Sequence, residues 1–147
     1  MAEPNFNWDE ENGVATCAIY DAGLNKVFVG VAMCLPEDEE FKSEMTGCEI
    51  ALARAQIKLL TEIRDSELKP SIKALKHLQG CMQQSPRFNK ESYENQSLRR
   101  EIHRLENLLA TTNQELAEVK QGLKDYIEMK DHFYHILKER QNKDKLN

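Results

Sequence analysis

The sequence lacks several features that would place it in a common functional class. No apolar run approaches the roughly 18 to 20 residues that a membrane span requires. Residues 1–5 contain neither the basic nor the apolar segment of a signal peptide. The 20 basic and 25 acidic side chains give a formal charge of −5, which provides no general attraction to phosphate groups or anionic lipids. We therefore expect a cytoplasmic protein without a membrane partner.

Catalytic signatures are missing as well. The sequence contains no nucleophile elbow, phosphate-binding loop, dinucleotide fingerprint or metalloprotease helix. A chain of 147 residues, more than a third of which is expected to form one helix, leaves little room for a substrate pocket. These observations predict a protein that is not an enzyme and binds no cofactor.

The cysteines and histidines do not form a clear ligand pattern. Four cysteines without a CxxC pair or a secretory context predict reduced thiols. Glu128, His132, His135 and Glu139 share one face of a helix and could hold a divalent metal. Because an exposed helix face has the same composition, we predict no metal site there. A metal-dependent enzyme that uses His132 and His135 is a third functional hypothesis.

The most informative feature is a heptad pattern between Leu98 and Leu137. Apolar residues recur there at alternating steps of four and three over about five heptads, which is typical of a coiled coil. We expect a helix over residues 90–141 that brings copies of the chain together. The predicted oligomerisation residues are Leu98, Ile102, Leu105, Leu109, Leu116, Val119 and Leu123.

The apolar surface broadens towards the C-terminal end of this helix, and Lys130 is the one charged residue in the series. The predicted partner-binding residues are Tyr126, Ile127, Phe133, Tyr134 and Leu137. A surface that extends beyond a narrow seam requires more than one neighbour. It is either the core of a helix bundle or a binding surface for another protein.

Two β-rich segments, residues 14–20 and 26–34, flank a turn and predict a β-hairpin. Placing Tyr20 opposite Val27 gives a ribbon that is apolar on both faces, so each face should be covered. The next helix would cover one face, and a later helix or a second subunit would cover the other. Residues 1–12 form a polar arm, which we expect to be loose unless Trp8 docks on another element.

Helices should follow the hairpin. Pro36 and the acidic residues after it favour a helix start, and the helix should continue as far as Lys69-Pro70. Its predicted apolar face is Phe41, Met45, Cys48, Leu52, Ala55, Leu59 and Ile63. Gly47 in this helix indicates a kink or a close backbone contact. Pro70 should end the helix, because the residue before a proline is disfavoured in the helical conformation.

The whole chain is therefore predicted to be α+β, with an N-terminal β-hairpin packed on a helix. The domains would be a head (residues 1–68), a short bridging helix and linker (69–89) and a coiled-coil stalk (90–147). The bridging helix should extend to about Gln84, and residues 142–147 should fray.

Part of the head resembles small accessory proteins encoded by bacteriophages and integrated elements. The similarity covers residues 14–66. It rests on VFVGVAMCLPED at residues 27–38, on Phe41, on Thr46-Gly47 and on IALARA at residues 50–55. The resemblance implies a phage accessory protein, a class that often binds and redirects a host protein. It implies no functional residues.

Taken together, the patterns favour a non-enzymatic, homo-oligomeric interaction protein that binds and modulates a host or defence protein. The alternative is a nucleic-acid-binding accessory protein. Its phosphate contacts would come from Arg54, Lys58, Lys69, Lys73 and Lys76.

Overall fold

The computed structural model describes residues 3–146 and has an α+β fold, as the sequence predicts. Its elements in chain order are strands β1 (Asn5–Asp9), β2 (Val14–Asp21) and β3 (Lys26–Met33), a 3-10 helix (Pro36–Phe41), α1 (Glu44–Glu62), a π-helical segment (Ile63–Leu68), α2 (Lys69–Gln83) and α3 (Tyr93–Leu146). None of the helices in this part of the chain is long and apolar enough to cross a membrane.

The N-terminal strands form one antiparallel sheet in the order β1-β2-β3. The register of the β2–β3 hairpin places Tyr20 opposite Val27, which confirms the predicted pairing. Asn25 has a φ of 51°, a left-handed conformation that asparagine tolerates better than most residues, and it closes the turn before β3. The inner face of the sheet carries buried side chains: Ala15, Cys17, Ile19, Phe28 and Ala32.

In the residues that the structure describes, the N-terminal arm is a strand, and Trp8 docks on another element, which is the condition under which the arm was not expected to be loose. Phe6 pairs with Cys17 and Trp8 with Ala15, which places both aromatic side chains on the inner face. Trp8 docks on α1, since a Cβ atom built at Gly47 would lie 3.1 Å from its ring. The start of the predicted arm, Met1 and Ala2, lies outside the described residues.

Helix α1 packs on the inner face of the sheet through small side chains. Ala51 and Ala55 have no exposed surface, and Ile50 and Leu59 are buried beside them. At Gly30 on β3, a Cβ atom would lie 2.0 Å from the Ala51 carbonyl oxygen. Helix and strand therefore approach each other at a distance that only glycine permits.

The helix predicted to begin at Pro36 is divided in two. A 3-10 helix ends at Phe41, and α1 begins at Glu44. The hydroxyl of Ser43, just before α1, accepts the Thr46 backbone N–H at 3.3 Å. Of the predicted apolar face, Ala55 and Leu59 are buried, whereas Met45, in the first turn of α1, is 72% exposed. Gly47 makes the close contact that was one of its two predicted roles.

Pro70 does not break the helix, contrary to the prediction. The chain stays helical from α1 through the π-helical segment into α2. Within that segment the Lys69 N–H donates to the Arg64 carbonyl, five residues earlier. The wider turn accommodates a proline, which has no N–H to donate, in the first turn of α2.

The outer face of the sheet stays exposed in the described chain, although the sequence predicted a cover for each face. Its apolar side chains on β3 are Val27, Val29, Val31 and Met33. β3 is also an edge strand, and two of its carbonyl groups accept hydrogen bonds from α1. Arg54 Nη1 donates to the Val31 oxygen at 2.7 Å, and Lys58 Nζ donates to the Val29 oxygen at 2.6 Å.

The chain forms two compact units whose boundaries differ from those of the predicted head, linker and stalk. One unit extends to Leu59 and resumes at Ala117, and the other is Leu60–Leu116. The second unit contains the buried residues Leu68, Ile72 and Ile102, and in it Lys76 on α2 pairs with Glu106 on α3 at 3.7 Å. Helix α3 extends to Leu146 and so includes residues 142–146, for which the sequence predicted a frayed end.

Candidate functional site

The predicted oligomerisation residues are partly buried within a single chain. Ile102 and Leu116 keep only 6% and 3% of their surface exposed. The other five are half-buried: Leu98, Leu105, Leu109, Val119 and Leu123. Homo-oligomerisation through this seam therefore stays a prediction, and intrachain packing already uses part of the seam.

The C-terminal part of α3 docks on the 3-10 helix mainly through Tyr134. Its ring packs on Phe41 with the centroids 5.3 Å apart, and its hydroxyl donates to the Phe41 carbonyl oxygen at 3.0 Å. Tyr134 is 9% exposed, and this burial raises the pKa of its phenol above the ordinary value. The sequence assigned Tyr134 to the partner-binding surface, but the structure places it in the core of its own chain.

An ion pair beside Tyr134 reinforces this contact. Lys138 Nζ lies 2.7 Å from Oδ1 of Asp38, a buried residue of the 3-10 helix. The hydrogen bond to Asp38 raises the pKa of the Lys138 ammonium. Lys130, one turn before Tyr134, lies with its Nζ 5.4 Å from the Tyr134 ring centroid and 2.9 Å from Asp131. These pairs explain how charged residues are tolerated along the docked face of α3.

The docked helix leaves an open groove between α3 and the segment around Phe41 and the first turn of α1. We call it the apolar groove. Its volume is about 540 Å³, and its apolar lining consists of Phe41, Met45, Tyr126, Met129, Phe133 and Leu137. Ser43, Thr46, Lys130 and Tyr134 complete the lining. The large side chains at the mouth face water, since Met129 is 63% exposed and Phe133 is 55% exposed.

The structure brings together most of the predicted partner-binding residues. Tyr126, Phe133 and Leu137 line the groove, whereas Ile127 is half-buried and is not part of the lining. Sequence reasoning missed the opposite wall, because it assigned Met45 and Phe41 to the buried face of one continuous helix. The capping serine at position 43, which restarts the helix, was the signal available in the sequence.

The residues considered as metal ligands in the sequence, Glu128, His132, His135 and Glu139, do not form a cluster that could hold a metal ion. His135 Nε2 lies 3.2 Å from Glu139, both on the exposed surface of α3. Among residues 3–146, no group of three or more histidine, cysteine, aspartate or glutamate side chains is placed to hold a metal ion.

Most of the basic residues of the nucleic-acid alternative bond to acceptors of the protein. Arg54 and Lys58 bind the β3 carbonyls described above. Lys69 lies 3.6 Å from Asp65, and Lys76 pairs with Glu106. These side chains are exposed, but each already has an acceptor in the folded chain.

Comparison with protein families, curated proteins and solved structures finds no match for this chain.

Proposed function

We propose that this protein is a non-enzymatic interaction protein that binds a segment of a partner protein in the apolar groove. The observation that carries the proposal is the exposure of Met45, Met129 and Phe133 around one concavity. Large apolar side chains that are exposed together around a groove are typical of a protein-binding surface. Fully burying one such side chain contributes about 1.5–3 kcal/mol, so three of them provide a sizeable share of a binding free energy.

The resemblance of residues 14–66 to phage accessory proteins supports a partner of bacterial origin. A protein of that class would act by occupying or redirecting a host or defence protein. Binding to a partner requires no reacting groups in the groove, which agrees with its mainly apolar lining.

Site-specific crosslinking tests the proposal. A photoreactive amino acid replaces Met129 in the groove or, as the control, Leu108, which is 44% exposed on α3 in the other unit. In bacterial lysate the position-129 probe should give discrete crosslinked species that excess wild-type protein abolishes. The Phe133→Glu variant should compete poorly. Equal crosslinking at both positions, or equal competition by the variant, would contradict the proposal.

The nucleic-acid alternative has weaker support, because four of its five basic residues bond to protein acceptors. A mobility-shift assay with duplex DNA and RNA at low salt tests it, since phosphate contacts are strongest there. A shift that is lost in Lys73→Ala and Lys76→Ala would restore this alternative.

A further inference from the structure

We propose that the first three turns of α3 form a binding face for single-stranded nucleic acid. The face belongs to Leu60–Leu116, the unit that does not carry the apolar groove, so the inference goes beyond the proposed function and is independent of it. Three features support it: a concave row of hydrogen-bond donors, an exposed aromatic ring on the same side of the helix, and a preceding segment that contains cations and no carboxylate.

Four side chains of α3 line an open concavity of about 410 Å³: Gln96, Arg99, Arg100 and His103. We call this surface the donor face. The last three follow the first at three, four and seven residues, which is the spacing of one side of a helix. Each can donate a hydrogen bond, and none is a carboxylate. Guanidinium groups match the oxygen geometry of phosphate, so this composition suits a phosphate backbone. None of the four belongs to the basic residues of the nucleic-acid alternative, which lie on α1 and α2.

The two arginines of the donor face are held in place by backbone groups. Arg99 Nη2 donates to the Lys90 carbonyl oxygen at 3.1 Å, and Arg100 Nε donates to the Gln96 carbonyl oxygen at 3.3 Å. Within residues 3–146, neither arginine pairs with a carboxylate. A guanidinium has five N–H groups, so each arginine keeps donors and its full charge for a ligand.

The nearby carboxylates leave the arginines uncovered. Glu101 accepts two hydrogen bonds from Arg104, at 3.0 and 2.6 Å. Glu91 contacts the end of the donor face, where its Oε2 lies 3.4 Å from Gln96 Nε2. A carboxylate therefore borders the face at one end, and the part formed by the arginines stays electropositive.

An exposed aromatic ring extends the donor face. Tyr93 precedes Gln96 by three residues and Arg100 by seven, so it lies on the same side of α3. Its side chain is 76% exposed. Phe88, in the linker before α3, is 38% exposed. Unpaired bases stack on exposed aromatic rings beside cations, whereas the base pairs of a duplex are already stacked on each other. This combination favours a single strand over a duplex.

The segment before α3 adds positive charge. Residues 69–90 contain five basic side chains and no aspartate or glutamate. All five are exposed: Lys69, Lys73, Lys76, Arg87 and Lys90. Lys69 and Lys76 pair with acids outside the segment. The chain therefore carries a local excess of cations although its formal charge is −5. Screening limits the repulsion from distant carboxylates to about 8–10 Å, so a polyanion responds mainly to the cations near it.

Binding of short labelled oligonucleotides to the full-length protein tests the inference. Fluorescence anisotropy compares single-stranded DNA, single-stranded RNA and duplex DNA of equal length at low salt. The better single strand should bind about tenfold more tightly than the duplex. Its affinity should fall as salt increases, because phosphate contacts release counterions. The preferred single strand assigns the ligand to DNA or to RNA.

Charge-matched variants locate the site. Arg99→Gln with Arg100→Gln removes two cations of the donor face and should weaken single-strand binding about tenfold or more at low salt. Arg140→Gln with Lys143→Gln removes two exposed cations from the other unit and should leave the affinity unchanged. Tyr93→Ala should weaken single-strand binding without changing its salt dependence, because stacking releases no counterions. Circular dichroism verifies that each variant folds.

Three results would overturn the inference. The first is the absence of oligonucleotide binding by the wild-type protein at low salt. The second is an equal loss of affinity in the two double variants, which would assign binding to net charge instead of the donor face. The third is duplex binding as tight as single-strand binding. Sedimentation with anionic vesicles, in a protein that binds no oligonucleotide, would replace the nucleic acid by a membrane surface.

Discussion

Gly30 is a position at which the fold leaves no room for a side chain. A Cβ atom there would meet the Ala51 oxygen at 2.0 Å and the Ala55 nitrogen at 2.6 Å, and both are backbone atoms that cannot rotate away. The two alanines have no exposed surface, so α1 lies as close to β3 as its side chains allow. Substitution at this position must displace a helix rather than a side chain.

Gly30→Ala should therefore lower the free energy of unfolding by about 1–3 kcal/mol or more, as overpacking of a core does. Gly80 on α2 is the matched control, because nothing lies within 4 Å of a Cβ atom built there. Gly80→Ala should raise stability by about 0.5–1 kcal/mol through helix propensity. Urea denaturation measures both variants. A Gly30→Ala protein as stable as wild type would show that α1 does not pack closely on β3.

Phe133 and Tyr134 are adjacent residues with opposite roles. Tyr134 is buried and hydrogen-bonded to Phe41, whereas Phe133 is 55% exposed at the mouth of the groove. Tyr134→Ala should cost about 3–5 kcal/mol of stability, the range for a buried aromatic residue. Phe133→Ala should cost less than about 1 kcal/mol and should weaken partner binding instead. Similar losses of stability in the two variants, measured by denaturation, would contradict this assignment.

At the scale of elements, the sequence predicted the hairpin and its register because turn residues and period-two apolar patterns are local signals. It missed β1, whose five residues carry only two apolar side chains, Phe6 and Trp8. Phe6 and Trp8 favour a strand only because β2 pairs with it and α1 packs against Trp8. The sequence pattern of the strand itself does not contain these neighbours.

The sequence predicted the apolar residues of only one wall of the groove, the wall on α3. The heptad series correctly identified the apolar side of α3 but placed Phe133 in the seam instead of Tyr134. In the structure the less exposed positions after Tyr126 include Lys130 and Tyr134, at steps of four, and do not include Phe133. A charged residue can occupy such a position when a carboxylate and a ring receive it, as Asp131 and Tyr134 do. These contacts depend on geometry that spacing alone does not encode.

At the scale of the whole molecule, stability should fall in alkaline solution. Burial raises the pKa of the Cys17, Cys34 and Cys48 thiols above 9.0 and that of Tyr134 above 10.0. Asp38 raises the pKa of Lys138 above 10.5. All these groups hold their protons more tightly in the folded state than in the unfolded state. Their contribution is therefore complete below about pH 9 and is lost as the pH rises through the raised values.

The melting temperature, measured by circular dichroism, should accordingly stay level up to about pH 9 and then decrease. Cys17→Ala removes one of the titrating groups and should reduce the slope of that decrease. A melting temperature that rises with pH in this range would contradict the sign of the pKa shifts.

The seam residues of α3 also carry a prediction of self-association. If the half-buried seam residues bring copies together, light scattering at micromolar concentration should give a multiple of 17.0 kDa. Leu105→Lys, at a half-buried position, should then reduce the mass. A wild-type mass near 17.0 kDa would contradict homo-oligomerisation and assign the seam to packing within the chain.

The hydrogen bonds from Arg54 and Lys58 to β3 also bear on whether the edge of the sheet can pair with another strand. An edge strand with valines at positions 27, 29 and 31 on one face could recruit another strand and start an aggregate. A recruited strand would have to displace two cations from the carbonyl oxygens that it needs for its own hydrogen bonds. The two hydrogen bonds therefore make the open edge of β3 a poorer template for the growth of a larger sheet.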